Sequence, residues 1–211
     1  MTDQKRAEAA LKTLASSDGL TGLANRRSFD QALALEWTRA QRTKTPLSLL
    51  LVDVDYFKLY NDLHGHQKGD DCLRALAAAM GANMRPADVA ARYSGEEFAV
   101  LMPDSGHDVA LHVGERLRHA VSNLCLNHGA PEAGPLVTLS IGVATQIPMD
   151  NMHSDLLVAR ADQALYAAKH SGRNCVLSAE EALAAFSNME TGLGQTSSKA
   201  RARRAGNLRP R

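Results

Sequence analysis

The sequence predicts an α/β sandwich, in which helices cover a mixed β-sheet. A nearly unbroken apolar run at residues 47–54 predicts a strand buried on both faces. Two later apolar segments, residues 88–94 and 96–102, are joined so closely that they predict an antiparallel hairpin. Helical patterns separate the strands, which gives the order β-α-β-β-α-β-α-β with the hairpin at its centre. A chain of 211 residues is long enough for one such domain with extensions.

Two helices are predicted before the first strand. Residues 4–16 are rich in helix formers and carry one narrow apolar stripe, which predicts a helix that packs against another element. A compact turn follows, and Asn25 is suited to cap the next helix. In that helix an apolar residue recurs at every fourth position: Phe29, Leu33 and Trp37.

Two more helices are predicted on either side of the hairpin. A polar loop containing Gly65 and Gly69 is expected after the first strand, and an amphipathic helix after the loop. The apolar positions of this helix are Leu73, Leu76, Ala77 and Met80. Those of the helix after the hairpin are Val109, Val113, Leu117, Val121 and Leu124.

The remaining elements follow the same rules. Alternation of apolar and small polar residues at 137–143 predicts a strand, and 174–177 predicts another. The helix between them carries Leu157, Ala161, Leu165 and Ala168 and ends near Gly172. Ser178 and Glu181 are spaced to cap a short helix reaching about Phe186, and the rest of the chain is expected to be disordered.

Charge and composition exclude several classes of protein. The chain has 24 basic and 23 acidic residues, but six of the basic ones lie in residues 196–211, which contain no acid. The body is therefore mildly acidic, which argues against an extended nucleic-acid or membrane-binding face, although the basic tail keeps that weaker alternative open. Three separated cysteines and the lack of a long apolar run predict a cytoplasmic protein without disulfides or transmembrane segments.

Four acidic residues stand where strands end. Asp53 and Asp55 close the buried strand, while Glu96 and Glu97 follow Gly95 at the hairpin turn. A solvated rim is the plain alternative for such acids. If the hairpin lies beside the first strand, however, the carboxylates converge as hard oxygen ligands for Mg²⁺ or Mn²⁺. Glycine at the turn allows backbone to approach a ligand closely.

A cationic group accompanies these acids. Lys169 lies in the last turn of its helix and Arg173 follows four residues later, while Lys58 comes soon after Asp55. Helix-dipole compensation and ordinary solvation are the alternatives. Divalent-metal acids combined with Lys and Arg are also what a nucleoside triphosphate requires. No Walker or dinucleotide-binding glycine motif is present.

Ordered motifs from about residue 18 to residue 176 resemble the GGDEF family of diguanylate cyclases. In the signature, Ser94 replaces the first glycine and Glu96 replaces the aspartate. The blocks that carry the resemblance are DGLTGLANRR at 18–27, VDVDYFK at 52–58 with Asn61-Asp62, GHQKGD at 65–70, RYSGEEF at 92–98, SIGV at 140–143, RAD at 160–162 and KHSGRN at 169–174.

The resemblance implies a nucleotidyl-cyclase or palm-like fold and a set of residue roles. Asp53, Glu96 and the carbonyl of Val54 would bind two Mg²⁺ or Mn²⁺ ions per active site, and Glu97 would act in metal binding or proton removal. Asn61 and Asp70 would read guanine, whose N1–H and N2–H donors suit a carboxylate. The matching triphosphate contacts are Lys169 and Arg173, with Phe57, Lys58 and Gly95 supplying close backbone approach.

The implied reaction condenses two GTP molecules into cyclic di-GMP with release of two pyrophosphates. Because one site holds one GTP, a homodimer with facing sites is implied. Arg85 and Asp88 match the R-x-x-D site at which cyclic di-GMP inhibits members of the family. A catalytically silent receptor for cyclic di-GMP or GTP is the alternative, because Ser94 adds a side chain where backbone approaches a ligand.

The domain boundaries follow from the same motifs. Residues 1–17 are expected to form an N-terminal helix or signalling linker, through which an upstream sensory domain or protein would act. Residues 18–178 would form the catalytic domain, and residues 179–211 a short helix and a basic tail.

Overall fold

The computed structural model describes residues 16–184 and contains the predicted mixed sheet. Its strands lie in the order β2-β3-β1-β4-β5, with β1 antiparallel to both neighbours and β5 parallel to β4. The strands are β1 (Leu47–Val54), β2 (Val89–Ser94), β3 (Glu97–Pro103), β4 (Leu139–Gln146) and β5 (Val176–Ser178). The hairpin β2–β3 therefore forms one side of the sheet, and β1 occupies its centre.

Helices cover both faces of this sheet. They are α1 (Arg26–Thr43), α2 (Phe57–His64), α3 (His66–Ala82), α4 (His107–Ser122) and α5 (Asp155–His170). Because side chains alternate along a strand, Leu50 and Val52 pack with residues of α3 and α4, whereas Leu49 and Leu51 pack with α1 and α5. The fold class and the two-sided burial of β1 are confirmed.

The expected polar loop after β1 is wrong, because residues 57–64 and 66–82 are helical. Gly65, at a φ of 81°, separates the two helices. Phe57 and Tyr60 bury the inner side of α2 and stack on each other with ring centroids 6.1 Å apart. These two aromatic residues are the buried positions of α2 and anchor it to the core.

Both predicted helix caps within the described residues are confirmed. Asn25 accepts a hydrogen bond from the Ser28 amide at 3.0 Å. Ser178 and Glu181 form a reciprocal capping box, in which the Glu181 amide donates to Ser178 Oγ and the Ser178 amide donates to Glu181 Oε2. The predicted helix at 4–16, the end near Phe186 and the tail lie mostly outside the described residues.

Helix α5 lies unusually close to β4. A Cβ built on Gly142 would overlap Leu165 N and Ala161 O and would lie 2.7 Å from Leu165 Cα. Glycine is therefore required at this position by close approach of two backbones. This contact fixes α5, which carries Lys169 at its end.

None of the helices within residues 16–184 combines the length and hydropathy that a membrane-spanning helix needs.

Among the cysteines, Cys72 is buried, and burial raises the pKa of its thiol to about 11. A buried thiol of this kind packs as a small apolar side chain.

Candidate active site

Asp53 lies at the end of the central strand in a largely enclosed position. It pairs in register with Glu97 on β3 and with Ser140 on β4. Its side chain is 13% exposed, and its Oδ2 lies 2.7 Å from Lys169 Nζ. The acid and the cation that sequence analysis proposed separately are thus in direct contact.

Burial has the largest influence on Asp53 and raises the pKa of its carboxyl above the ordinary value. Lys169 acts in the opposite direction by its hydrogen bond and charge, while Glu96 and Glu97 raise the pKa further. Three carboxylates and one ammonium group thus act on one another at this end of the sheet.

The hairpin turn that carries Glu96 and Glu97 is stabilised by Arg92 and, through it, by Asp18. Gly95 has a φ of 42°, in the left-handed region that favours glycine. Arg92 donates through Nε to the Gly95 carbonyl at 2.8 Å and lies 3.3 Å from Asp18. The turn before α1 thus fixes the tip of the hairpin through Arg92.

Ser94, which replaces a glycine of the family signature, fits this turn. It ends β2 beside a register shift in the hairpin and is exposed. The positive φ falls on Gly95 and not on Ser94. The backbone here therefore tolerates a side chain at position 94.

Asp55 has a structural task. It is 2% exposed, and its two carboxylate oxygens accept hydrogen bonds from Thr138 Oγ1 at 2.7 Å, Ser140 Oγ at 2.6 Å and the Asn174 amide at 3.0 Å. These bonds stabilise the buried carboxylate. Asp55 therefore ties the end of β1 to the turn that carries Arg173.

Asn61 and Gly69 are matched to each other. Asn61 Oδ1 is buried and has no hydrogen-bond partner among residues 16–184. A Cβ at Gly69 would overlap this oxygen, so the absence of a side chain on α3 makes room for the amide. Asp70 follows Gly69 on α3 and is partly exposed. A buried, unpaired acceptor beside a carboxylate suits a ligand that brings N–H donors.

The start of α2 presents backbone amides close to β1. Tyr56 precedes the helix in the left-handed conformation, at a φ of 55°, and its side chain makes no capping hydrogen bond to the helix. Phe57 is buried and Lys58 is exposed in the first helical turn. The first amides of a helix lack intrahelical partners and favour anions. Val54, the last residue of β1, is buried and pairs with Leu139.

Arg173 lies beyond the end of α5, on a turn beside α2. Its guanidinium lies over the Tyr56 ring, 4.3 Å from the centroid, and its Nη1 donates to the Tyr56 hydroxyl at 3.1 Å. Arg173 and Lys169 therefore flank the start of α2 and the end of β1, in contact with Tyr56 and Asp53 respectively.

Arg85 and Asp88 form a separate group before β2. Asp88 accepts from Arg85 Nη2 at 3.0 Å and from the Arg85 amide at 2.9 Å, and its side chain is fully buried. The Arg85 side chain is half exposed and lines a cavity of about 320 Å³ with His112 and Arg116 of α4. Asp88 thus orients Arg85, and the cavity holds the two arginines together with one acid, Asp108.

Comparison with known proteins places these residues in a family. The family model described as diguanylate cyclase, GGDEF domain, matches residues 15–175. The chain belongs to the GGDEF domain family. The chain is 41% identical over 179 residues to diguanylate cyclase DgcM of Escherichia coli K12, covering 85% of this chain and 42% of that protein. It therefore spans less than half of that relative.

Solved GGDEF domains share the fold. The GGDEF domain of DgcB from Caulobacter crescentus, in complex with c-di-GMP, matches with a TM-score of 0.72 and 39% identity over 79% of this chain and 94% of that one. The active GGEEF domain of a diguanylate cyclase from Vibrio cholerae matches with a TM-score of 0.67 and 31% identity, over 74% of this chain and 97% of that one.

Sequence reasoning missed residues that act through contacts between distant elements. Tyr56 entered the sequence analysis only as part of the VDVDYFK motif, with no role of its own, and Arg116 was not among the predicted site residues. Arg116 and Arg85 line one cavity because α4 lies beside the residues that precede β2, and no local sequence pattern indicates that placement. The aromatic type of Tyr56, immediately after the buried Asp55, was the available signal for a residue at the site.

Proposed function

We propose that the chain is a diguanylate cyclase domain, which condenses two GTP molecules into cyclic di-GMP and two pyrophosphates. The contact between Asp53 and Lys169 carries the proposal, because it joins a metal-ligating acid to a phosphate-binding cation at one strand end. Glu96 and Glu97 add negative charge that acts on Asp53. The active GGEEF domain among the similar structures supports glutamate at position 96.

The residues present fit Mg²⁺ or Mn²⁺. Within residues 16–184 no three carboxylate, imidazole or thiol groups form a ready-made metal cluster. Mg²⁺ is commonly bound by one or two carboxylates together with substrate phosphates. Asp53, Glu96 and the Val54 carbonyl would supply the protein ligands for two ions. Bound metal would lower the pKa of the attacking hydroxyl and stabilise charge on the phosphoryl oxygens.

The chain's own residues would bind and orient GTP. Lys169, Arg173 and the first amides of α2 at Phe57 and Lys58 would hold the triphosphate, with Gly95 allowing close approach of the hairpin. Asn61 and Asp70 would accept hydrogen bonds from guanine. This pair of acceptors would reject adenine, because adenine lacks donors in that arrangement. Glu97 lies in register with Asp53, where it would ligate metal or remove a proton.

Ring closure requires two sites. Each 3′-hydroxyl would attack the α-phosphorus of the other GTP, forming one phosphodiester bond and breaking one bond to pyrophosphate. One site places one nucleotide, so we propose that the active species is a homodimer with twofold symmetry.

Incubation of the purified protein with GTP and Mg²⁺ tests the proposal. We expect cyclic di-GMP and pyrophosphate on chromatography, with specific activity rising with protein concentration until dimers saturate. ATP in the same assay should give little or no cyclic product. Binding of GTP or cyclic di-GMP without turnover at any concentration would overturn catalysis and support the silent receptor.

Product inhibition is proposed at Arg85. Its half-exposed guanidinium and the neighbouring Arg116 offer two cations for the phosphates of cyclic di-GMP, and Asp88 holds Arg85 in place. We expect cyclic di-GMP to lower the maximal rate without raising the KM for GTP, and Arg85→Ala to raise the inhibition constant at least about tenfold, the loss of one charge-assisted contact. Asp88→Ala should have a smaller effect in the same direction.

Arg74→Ala is the matched control for that measurement. Arg74 also pairs with an aspartate three residues away, Asp71, at 2.8 Å, but it lies on α3. This variant should keep the parent's inhibition. Equal inhibition of the parent and the Arg85→Ala protein, or simple competition with GTP, would contradict the site.

A further inference from the structure

Tyr56 contacts the Arg173 guanidinium in two ways. The guanidinium carbon lies 4.3 Å from the ring centroid, within the range of a cation–π interaction. At the same time Nη1 donates to the phenolic oxygen at 3.1 Å. One aromatic side chain therefore fixes both the distance of the guanidinium group from the ring and its orientation.

The backbone below Arg173 is already fixed. Gly172, Arg173 and Asn174 all have positive φ values, of 105°, 62° and 46°. The Arg173 amide donates to the Ala168 carbonyl at 3.1 Å, and the Asn174 amide donates to Asp55 at 3.0 Å. Non-glycine residues in this conformation persist where surrounding contacts hold them, and such residues cluster at functional sites. These contacts hold the backbone of Arg173 but leave the orientation of its long side chain undetermined.

Tyr56 is itself held in place. Its φ of 55° is left-handed, and its carbonyl accepts a hydrogen bond from His128 Nε2 at 3.3 Å. The buried His128 ring also meets the Tyr56 ring edge to face, with centroids 6.5 Å apart. His64 donates to the His128 carbonyl at 2.8 Å, which anchors the loop that carries His128. The aromatic ring below Arg173 is therefore a fixed surface.

We propose that Tyr56 is a positioning residue that orients the Arg173 guanidinium toward the triphosphate of GTP before GTP binds. This proposal rests on the proposed function. An arginine has five N–H donors, and Tyr56 uses one of them, so the others stay available to phosphate oxygens. Both side chains line a cavity of about 380 Å³ beside the loop before β4, which also contains Glu132, so part of the guanidinium is open to solvent. Ordering the side chain in advance lowers the entropic cost of binding.

Binding measurements with 3′-deoxy-GTP and Mg²⁺ test this role, because that nucleotide lacks the attacking hydroxyl and cannot condense. By calorimetry, Tyr56→Leu should raise the Kd for 3′-deoxy-GTP about five- to tenfold, the range of a partly exposed cation–π contact with an added hydrogen bond. The Kd for 3′-deoxy-GMP, which lacks the β- and γ-phosphates, should stay within about twofold of the parent's. A structural disturbance of the site would weaken both nucleotides.

A double-mutant cycle gives the second readout. Arg173→Ala should weaken 3′-deoxy-GTP more than Tyr56→Leu does, and adding Tyr56→Leu to Arg173→Ala should cause little further loss, because the residue it positions is absent. Tyr56→Phe, which keeps the ring and the packing on His128, should give a loss of about two- to threefold. It keeps the test decisive if Tyr56→Leu folds poorly.

Tyr166→Leu is the matched control. Tyr166 is 54% exposed on α5 and stacks on His170 with ring centroids 4.0 Å apart, so it too is an exposed tyrosine near a basic side chain. This variant should bind both nucleotides as the parent does. Equal weakening of 3′-deoxy-GMP and 3′-deoxy-GTP by Tyr56→Leu, or full additivity with Arg173→Ala, would overturn the proposal.

These outcomes separate the two proposals. If the parent binds 3′-deoxy-GTP but forms no cyclic di-GMP from GTP, the proposed function fails, while the cycle at Tyr56 and Arg173 still gives its result. If the parent makes cyclic di-GMP and Tyr56→Leu binds 3′-deoxy-GTP normally, the positioning role alone is wrong.

Discussion

Asp53→Asn and Glu96→Gln should each reduce the rate of cyclic di-GMP formation at least about a thousandfold, which corresponds to about 4 kcal/mol of transition-state stabilisation. Each substitution removes a carboxylate from the proposed metal ligands while keeping the shape of the side chain. The rate of product formation, measured by chromatography at saturating Mg²⁺ and GTP, checks this result.

The folded structure should survive the loss of Asp53. Burial raises the pKa of this carboxyl, so the folded protein holds the proton more tightly than the unfolded chain does. A carboxyl whose pKa is higher in the folded state than in the unfolded chain opposes folding at any pH at which the unfolded chain is ionised. We expect the Tm of Asp53→Asn, in buffer without metal or nucleotide, to equal or exceed that of the parent.

Asp30→Asn is the control for charge removal. Asp30 is an exposed acid on α1 that pairs with Arg26 at 3.1 Å, and its loss should leave the rate within about twofold of the parent's because exposed pairs contribute little. Substantial turnover in both Asp53→Asn and Glu96→Gln would remove the metal assignment. A large fall in Tm for Asp53→Asn would show instead that the acid stabilises the fold.

Gly142→Ala should destabilise the protein by at least about 3 kcal/mol. The added Cβ would overlap Leu165 N and Ala161 O, and both atoms belong to the backbone of α5, so no side-chain rotation relieves the overlap. Helix α5 would have to move away from β4 and the core would lose its packing. For a domain of this size, thermal unfolding should show a fall in Tm of about 10 °C or more.

Gly81→Ala provides the comparison. Gly81 lies near the end of α3, and a Cβ there would come no closer than 3.9 Å to Leu23. Alanine is the better helix former, so this variant should be equal to the parent or more stable. If Gly142→Ala melted at the temperature of Gly81→Ala, the close approach of α5 and β4 would not be a requirement of the fold.

The sequence allowed the strands and helices to be predicted where one pattern dominated. The apolar run that became β1 and the repeat of Phe29, Leu33 and Trp37 in α1 report burial directly. Helix α2 was not predicted because a helix of only eight residues gives a weak periodic signal, and its stability comes from Phe57 and Tyr60 packing against the core.

The candidate site was predicted as a set of residues but not as a geometry. The sequence motifs assigned Asp53, Glu96 and Lys169 to one candidate site. The contact of Asp53 with Lys169, however, depends on the position of α5 over the sheet. Likewise, the motif named Arg85 and Asp88 together as a product site, but it did not indicate that both Asp88 oxygens accept hydrogen bonds from Arg85. Local sequence patterns do not record which partner satisfies a polar side chain.

The antiparallel position of β1 between β3 and β4 has a consequence for synthesis on the ribosome. Leu50 pairs with Val100 and with Val143, so its second neighbour is made roughly 90 residues later. At about 5–20 residues per second, the most apolar strand waits roughly 5–20 s for that partner. During this interval β1 exposes an unpaired apolar edge, which is a hazard for aggregation. Slower translation of residues 105–140 would lengthen that exposure, and binding of a chaperone to the nascent chain would shield it.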